Sequence, residues 1–402
     1  MKKFIAVQLG ARRSYAVPSI LERGGMLEAF YTDVCGNQGV LGNFLSALPQ
    51  DLLKGSLKNL YGRQLPDNLL DKTFTFPYLM LKYIVNKQFF SLDEEKNLKA
   101  LGEFAEEMGN AIIKKGFGNA THYFSMFGEC TSAMRSAKKK GLTTVTEIFI
   151  LLNAHYLVET ERVKYPELES APDEKFVQEA FEWLQEVCDL SDWVIAPSEA
   201  VKQDLVTNWG VKKDRCVVLP YGVKESWLKI NNIPVKGHVL MVGSANLRKG
   251  IHILGKSADQ LVSHNYQFIV AGDINKAVRN ATMTKSLNFL GRIPRIEIEK
   301  QYQQADIFVL PSFAEGSAEV TYEALACGIP VITTKAAGSV VRDGIDGFIV
   351  PEGDADALAD KIQTLVENRE LRNQMAISAR ERAKDYTWDK YGERLLSLFQ
   401  SI

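Results

Sequence analysis

The sequence predicts an α/β protein made of two doubly wound, Rossmann-like parallel-sheet domains. Three observations carry this reading. The chain has 402 residues, more than one ordinary core accommodates, so two domains are the default expectation. Short apolar runs recur in both halves, most of them ending in Gly or Pro and separated by helix-like or loop segments. That is the alternation of a parallel sheet covered on both faces. Near the middle, Pro220-Tyr221-Gly222-Val223 and then Asn231-Asn232-Ile233-Pro234 interrupt the pattern with turn-forming residues, as a linker does.

In the first half the apolar runs fall at 4–9, 28–32, 122–126, 143–148, 193–196 and 217–219. Residues 36–118 contain no clear strand and read as helices, with a helical pattern over 92–115, so they are expected to form an insertion. In the second half the runs fall at 238–242, 268–271, 287–290, 307–310, 330–333 and 348–350. A last helix from about 388 to 400 carries Tyr391, Leu395, Leu398 and Phe399 on one face. The expected division is an N-terminal domain at 1–219 with its insertion at 36–118, and a linker at 220–236. A C-terminal domain at 237–385 and a terminal helical segment at 386–402 follow.

Composition narrows the function classes. Hydrophobic residues make up 46% and charged residues 24%, the profile of a water-soluble globular chain. The net charge of −1 offers no electrostatic case for nucleic acid. Cys35, Cys130, Cys188, Cys216 and Cys327 are scattered and odd in number, which suits a reducing cytosol. No apolar run reaches the ~18 residues of a membrane span. The run after Met1-Lys2-Lys3 is broken by Gln8 and followed by Arg12 and Arg13, so it reads as a buried strand and not a signal peptide. A cytoplasmic protein is the expectation.

The densest chemistry lies at 315–334. A buried strand over 307–310 runs into a loop with Glu315 and Gly316, and a helix opens before Gly328 and Pro330 close it. Ligands of open parallel sheets sit outside the carboxyl ends of strands, and backbone N–H groups around 317–320 suit a phosphate. Glu315 lies in the loop and Glu323 about two helical turns further on. Carboxylates repel phosphate but accept hydrogen bonds from sugar hydroxyls, so the pattern suggests a nucleotide sugar. Arg248-Lys249-Gly250 follows a strand and a tight turn, where the cations can meet the diphosphate. Asp354-Ala355-Asp356 precedes Leu358-Ala359 and reads as a helix N-cap, not a metal motif. No His or Cys cluster has metal-ligand spacing. No Gly-x-Gly-x-x-Gly follows the first strand of either half, which disfavours a dehydrogenase.

The segment with Glu315 and Glu323 resembles the Glu-x7-Glu signature of the retaining family-4 glycosyltransferases, which have the GT-B fold of two Rossmann-like domains facing a deep cleft. The resemblance extends to Val242-Gly243, Lys249-Gly250, Leu290-Gly291, Gly347-Phe348 and Tyr386-Thr387-Trp388, and so covers most of 190–402. It implies that Glu315 contacts the donor sugar, that Glu323 holds the ribose hydroxyls, and that Lys249, with Arg248, neutralises the leaving diphosphate. It also places Gly10, Ser244, Gly316, Ser317 and Ala318 around the donor, and brings the terminal helix back onto the N-terminal domain. The implied mechanism is front-side retention with a UDP-type donor and no metal or other cofactor.

The chain departs from that pattern in four places. Ser244 stands where the family usually has an Arg, and Glu319 where it has a small or apolar residue. Only Gly10 matches the family's N-terminal Gly pair. The His expected after the strand at 143–148 is missing, and Glu147 stands nearby. Glu319 is expected either to point away from the ligand or to be neutralised by Arg248 or Arg12. Arg12, Arg13, His122 and Glu147 are the acceptor-side candidates, His122 and also His155 on proximity alone, and Arg12 or Arg13 could instead reach the donor diphosphate. The acceptor is left open among a glycan, a lipid-linked glycan and a small molecule. The segment at 49–90, with leucines spaced among Lys54, Lys58 and Arg63, reads either as an insertion packed on its own domain or as a contact with the inner membrane face. Two rival functions stay open: a sugar-nucleotide epimerase of similar fold, and a non-catalytic protein that binds a nucleotide sugar or glycan.

Overall fold

The computed structural model describes residues 2–39, 42, 60–89 and 94–402. Two fully parallel sheets organise them. The first contains β1 (Phe4–Val7), β2 (Leu27–Thr32), β3 (Thr73–Thr75), β4 (His122–Met126), β5 (Thr143–Glu147), β6 (Trp193–Ala196) and β7 (Cys216–Val218). Its strand order is β3-β2-β1-β4-β5-β6-β7. The second contains β8 (His238–Val242), β9 (Gln267–Ala271), β10 (Leu287–Gly291), β11 (Ile307–Leu310), β12 (Val331–Thr333) and β13 (Gly347–Ile349), in the order β10-β9-β8-β11-β12-β13. Each sheet therefore reverses direction between its first and fourth strands, at β1/β4 and β8/β11. Chain connections leave those two points in opposite directions, which opens a crevice at the carboxyl ends of the strands.

The central strands are buried on both faces, so they read as continuous apolar runs. Side chains still alternate: Phe4 and Ala6 join one core cluster, while Ile5 and Val7 join another beneath the helix Glu94–Lys115. One correction falls here. The stretch 36–118 is not wholly helical, because Thr73–Thr75 pairs with β2 as the edge of the first sheet. A three-residue edge strand gives too short a pattern for periodicity to register.

The chain crosses between the sheets twice. Val223 donates its N–H to Tyr386 O at 2.7 Å and accepts from Trp388 N at 3.3 Å, so the outgoing and returning segments lie side by side. A Cβ on Gly222 would stand 2.7 Å from Trp388 N, so only glycine permits this approach. The helix Trp388–Ser401 then packs against the helix Ala16–Arg23, with the Phe399 ring 4.5 Å from Phe4. One core cluster runs without a break from Phe4 and Phe399 through Tyr221, Trp227 and Tyr391 into β8 and β11.

Candidate active site

The site is built at the second sheet's reversal point. β8 ends at Val242, and Gly243 and Ser244 begin a turn that leads to Arg248 and Lys249. Asn246 Oδ1 accepts from Lys249 N–H at 3.0 Å and fixes this turn. A Cβ on Gly243 would lie 3.2 Å from the Lys249 methylenes, so the glycine leaves room for the lysine to lie across it. Gly250, at a φ of +72°, heads the helix Ile251–Gln260. Any side chain there would collide with the Pro311 carbonyl, so this glycine serves packing onto the β11 loop and not approach to a ligand.

From β11 the loop brings Glu315 to the two cations. Its Oε1 lies 2.8 Å from Arg248 Nη1 and 2.5 Å from Lys249 Nζ, and Arg248 also donates to Ala314 O at 2.7 Å. The Glu315 and Lys249 side chains are each only 13% exposed. Two positive groups on one carboxylate leave this corner with a net charge of +1, suited to an incoming diphosphate. Gly316 is pressed onto the Phe149 carbonyl of the first sheet's side, with no room for a Cβ, and Ser198 Oγ donates to Gly316 O at 2.6 Å. Ser317 and Ala318 are inward-facing. The Ser317 hydroxyl bonds Tyr322 OH at 2.7 Å and Gly338 O at 2.9 Å, and the Ala318 N–H is taken by Ala337 O. These two residues brace the loop, so within 317–320 the Ala318 N–H is not free for a phosphate.

Glu323 sits on the helix Glu319–Ala326, where its Oε2 accepts from Tyr302 OH at 3.1 Å. Burial pushes its carboxyl up to about 7, against a pull downwards from Arg295. A cavity of about 360 Å³ opens at the ends of β8, β9 and β10, lined by Gly243, Ser244, Gly272, Asp273, Arg292 and Ile293 among others. A larger one, about 960 Å³, lies between Ser244, Asn246 and Asp273 on one side and Arg162, Leu168 and Glu169 on the other. Ser244 lines both and is exposed.

Across the crevice, the first sheet's loops carry the remaining candidates. Gly10, at a φ of +71°, donates its N–H to Asp33 Oδ1 at 3.0 Å. Arg13, Ser14 and Tyr15 are all left-handed, with φ of 50°, 52° and 60°. Such residues cost energy singly, so a run of three marks a strained turn held by its surroundings. Arg13 is ion-paired to Glu147, lies with its guanidinium carbon 3.5 Å from the centre of the Tyr221 ring, and donates from Nε to Glu319 Oε1 at 3.1 Å. Arg12 points elsewhere, 3.5 Å from Glu129 Oε1 and over the Phe149 ring.

Three expectations need correcting. Glu319 is paired with Arg13, not with Arg248 or Arg12. Glu147 is fully buried as the counter-ion of Arg13 and accepts from Tyr221 OH at 3.0 Å, so it does not face an acceptor. His122 opens β4 at the amino end of the sheet, opposite the crevice. It stacks on Phe4 at 4.5 Å and bonds Thr121 Oγ1 at 2.7 Å, and desolvation lowers its pKa. His155 is engaged on its own helix, Ala154–Lys164, with Arg162 Nη1 3.2 Å from its Nδ1.

The sequence reading also passed over a polar group at the carboxyl ends of β2 and β4. Glu129 Oε2 accepts from Leu9 N–H at 2.6 Å, and Arg63 Nη1 donates to Asp33 Oδ2 at 2.6 Å. Burial, the largest cause, raises the Glu129 carboxyl to about 8. The signal was present: the strand-end rule applied to β11 also selects residues just after β2 and β4. Asp354 accepts from Ala357 N–H at 2.8 Å and caps its helix, and Asp356 is bound by Gln260. Among the described residues no three His, Cys, Asp or Glu side chains gather as a metal would require, and no helix is long and apolar enough to cross a membrane.

Two parallel-sheet halves meeting at their strand ends, with cations and carboxylates gathered there, make the GT-B fold. Its known examples include glycosyltransferases, and the comparisons point the same way. The model for glycosyl transferases group 1 matches residues 223–382, and the model for Glycosyltransferase Family 4 matches residues 121–227. The capsular polysaccharide biosynthesis glycosyltransferase CapM of Staphylococcus aureus is 30% identical over 217 residues, covering 48% of this chain and 57% of CapM. A Campylobacter jejuni enzyme, N,N'-diacetylbacillosaminyl-diphospho-undecaprenol alpha-1,3-N-acetylgalactosaminyltransferase, is 29% identical over 219 residues, 50% of this chain and 58% of its own. The chain thus spans about half the length of the curated relatives it matches. Among solved structures, sucrose-phosphate synthase from Thermosynechococcus elongatus superposes with a TM-score of 0.67 at 17% identity, over 100% of this chain and 99% of the other. Anabaena HepE in complex with UDP and glucose gives 0.62 at 15% identity over the whole of both chains. At these identities the structures share the fold alone.

Proposed function

We propose that this protein is a retaining glycosyltransferase that moves a sugar from a nucleotide sugar, of UDP type, to a glycan, lipid-linked or small-molecule acceptor. The observation that carries the reading is the convergence of Arg248 and Lys249 on Glu315 at the β8/β11 reversal, with Glu323 half-buried two turns further along the same segment. Lys249 and Arg248 take the diphosphate, whose charge grows as the sugar–phosphate bond breaks, and preorganised cations lower that barrier more than any other contribution. Glu315, released by the diphosphate from its two cations, turns to the hydroxyls of the transferred sugar. Glu323 accepts from the ribose, and the cavity at the ends of β8, β9 and β10 takes the base. In this pairing Glu315 and Glu323 act as the family-4 Glu-x7-Glu pair.

On the front-side route, the anomeric carbon loses its bond to the phosphate oxygen. It gains one to the acceptor oxygen on the same face, and the acceptor proton passes to the leaving phosphate. All the positive charge in this scheme comes from the chain's own side chains. The similarity to relatives whose names refer to capsular polysaccharide biosynthesis and to a diphospho-undecaprenol acceptor favours a glycan or lipid-linked acceptor. Of the segment at 49–90 that would touch a membrane, 49–59 and 90 lie outside the described residues.

A panel of UDP-, GDP- and ADP-sugars tests the proposal, first by thermal shift and then by product analysis. Bound nucleotide stabilises the native state by mass action. Donor-dependent transfer or hydrolysis supports it, isomerisation of the sugar means an epimerase, and binding without turnover means a recognition protein. Lys249→Ala is expected to weaken UDP binding in calorimetry as well as slow transfer, and unchanged affinity would reduce Lys249 to a surface charge.

A further inference from the structure

Arg13 and Glu319 form an ion pair between the two halves of the molecule, and neither belongs to the cluster around Glu315. The two partners differ in freedom. Arg13 is 10% exposed, held from behind by the buried Glu147 and on its face by Tyr221, on a turn of three left-handed residues. Glu319 is 49% exposed and is the first residue of the helix whose start faces the donor site. One guanidinium edge is therefore committed to Glu147, while the other is occupied by a carboxylate able to swing away. The three groups together carry −1, so an anion reaching the Arg13 Nε edge must displace Glu319.

We propose that Arg13 is a phosphate-contacting cation supplied by the opposite half, and that Glu319 is its gate. Without donor, Glu319 holds the Nε edge. The donor diphosphate displaces it, and after transfer Glu319 reclaims Arg13 and helps expel the nucleoside diphosphate. The proposal rests on the donor-site reading above and adds to it a residue pair that competes with the ligand. Charge-assisted hydrogen bonds of this kind are strong enough to matter. The competition works through Arg13, which separates it from plain repulsion between Glu319 and phosphate.

The test is calorimetry of UDP, GDP and ADP on the full chain at fixed ionic strength. Glu319→Ala is expected to tighten the preferred nucleotide by about fivefold, the upper end for a partly exposed ion pair. Glu319→Gln, which still accepts from Arg13 Nε, is expected to tighten it clearly less. In a background of Arg13→Met with Glu147→Gln, which leaves no buried unpaired charge, Glu319→Ala is expected to change affinity by under about twofold. Equal tightening by Ala and Gln, or the same tightening in both backgrounds, overturns the gate in favour of direct repulsion. Unchanged affinity in Glu319→Ala overturns it as well. If the wild type binds none of the three nucleotides, the donor-site reading itself fails. The Ala and Gln variants alter a surface side chain, so the comparison between them stands even if the Arg13 background does not fold.

Discussion

Glu315 is covered by two cations and stays close to them, yet the proposed transfer needs it to face a sugar. Glu315→Ala should therefore lower turnover more than tenfold, equivalent to more than about 1.4 kcal/mol of transition-state stabilisation, with the fold intact. Steady-state transfer rates alongside a thermal melt check this. Glu323 gives a pH signature. Its folded-state pKa is raised to about 7 from 4.5, so between those values the folded chain holds a proton that the unfolded chain has lost. Stability contributed by this group is present below about 4.5 and falls as pH rises towards 7. Glu323→Gln should flatten that part of the profile, measured as the difference in denaturation midpoint between variant and wild type at pH 4.5 and 7.5. The gathering of these groups was legible in the residues. Glu315, Lys249 and Arg248 lie close to strand ends, where backbone geometry fixes their neighbourhood. Glu147 and His122 were misread because their roles depend on which end of a strand they occupy and what covers them. The Arg13 partnership joins residues about 300 positions apart, and no local pattern encodes it.

Among the elements, the 311–318 loop presses directly on the other half. Gly316→Ala forces a methyl into the Phe149 carbonyl, and overpacking of this kind costs about 1–3 kcal/mol. The cheapest relief is separation of the loop from the first sheet's side. The variant should show a larger radius of gyration in solution scattering and reduced transfer, with a smaller change in melting temperature. An unchanged radius of gyration would mean that the loop rearranges locally. Most strands were legible from their apolar runs because buried parallel strands carry a charge only with a partner, as Glu147 does with Arg13. β3 was not, because Thr73–Thr75 is too short for a pattern and takes its shape from pairing with β2. The glycines were legible as turns but not in purpose, since Gly250 answers to a carbonyl of β11's loop and not to a ligand.

Over the whole molecule, the core cluster that passes through Tyr221, Trp227 and Tyr391 joins the two sheets into one cooperative body. Phe399, fully buried against Phe4 and Phe124, is the farthest anchor of the returning helix. Phe399→Ala should cost about 3–5 kcal/mol and lower the melting temperature of the chain as a single transition. Two separate transitions in calorimetry would show that the sheets melt independently. The paired crossings at Val223 and Tyr386–Trp388 have a mechanical consequence. A single connecting strand would let the halves swivel in any direction. Two strands tied by hydrogen bonds resist twist and shear, and leave bending about their common line as the soft degree of freedom. Any opening of the halves would then turn about that line like covers on a spine, and closing would return Arg13 to the same helix start.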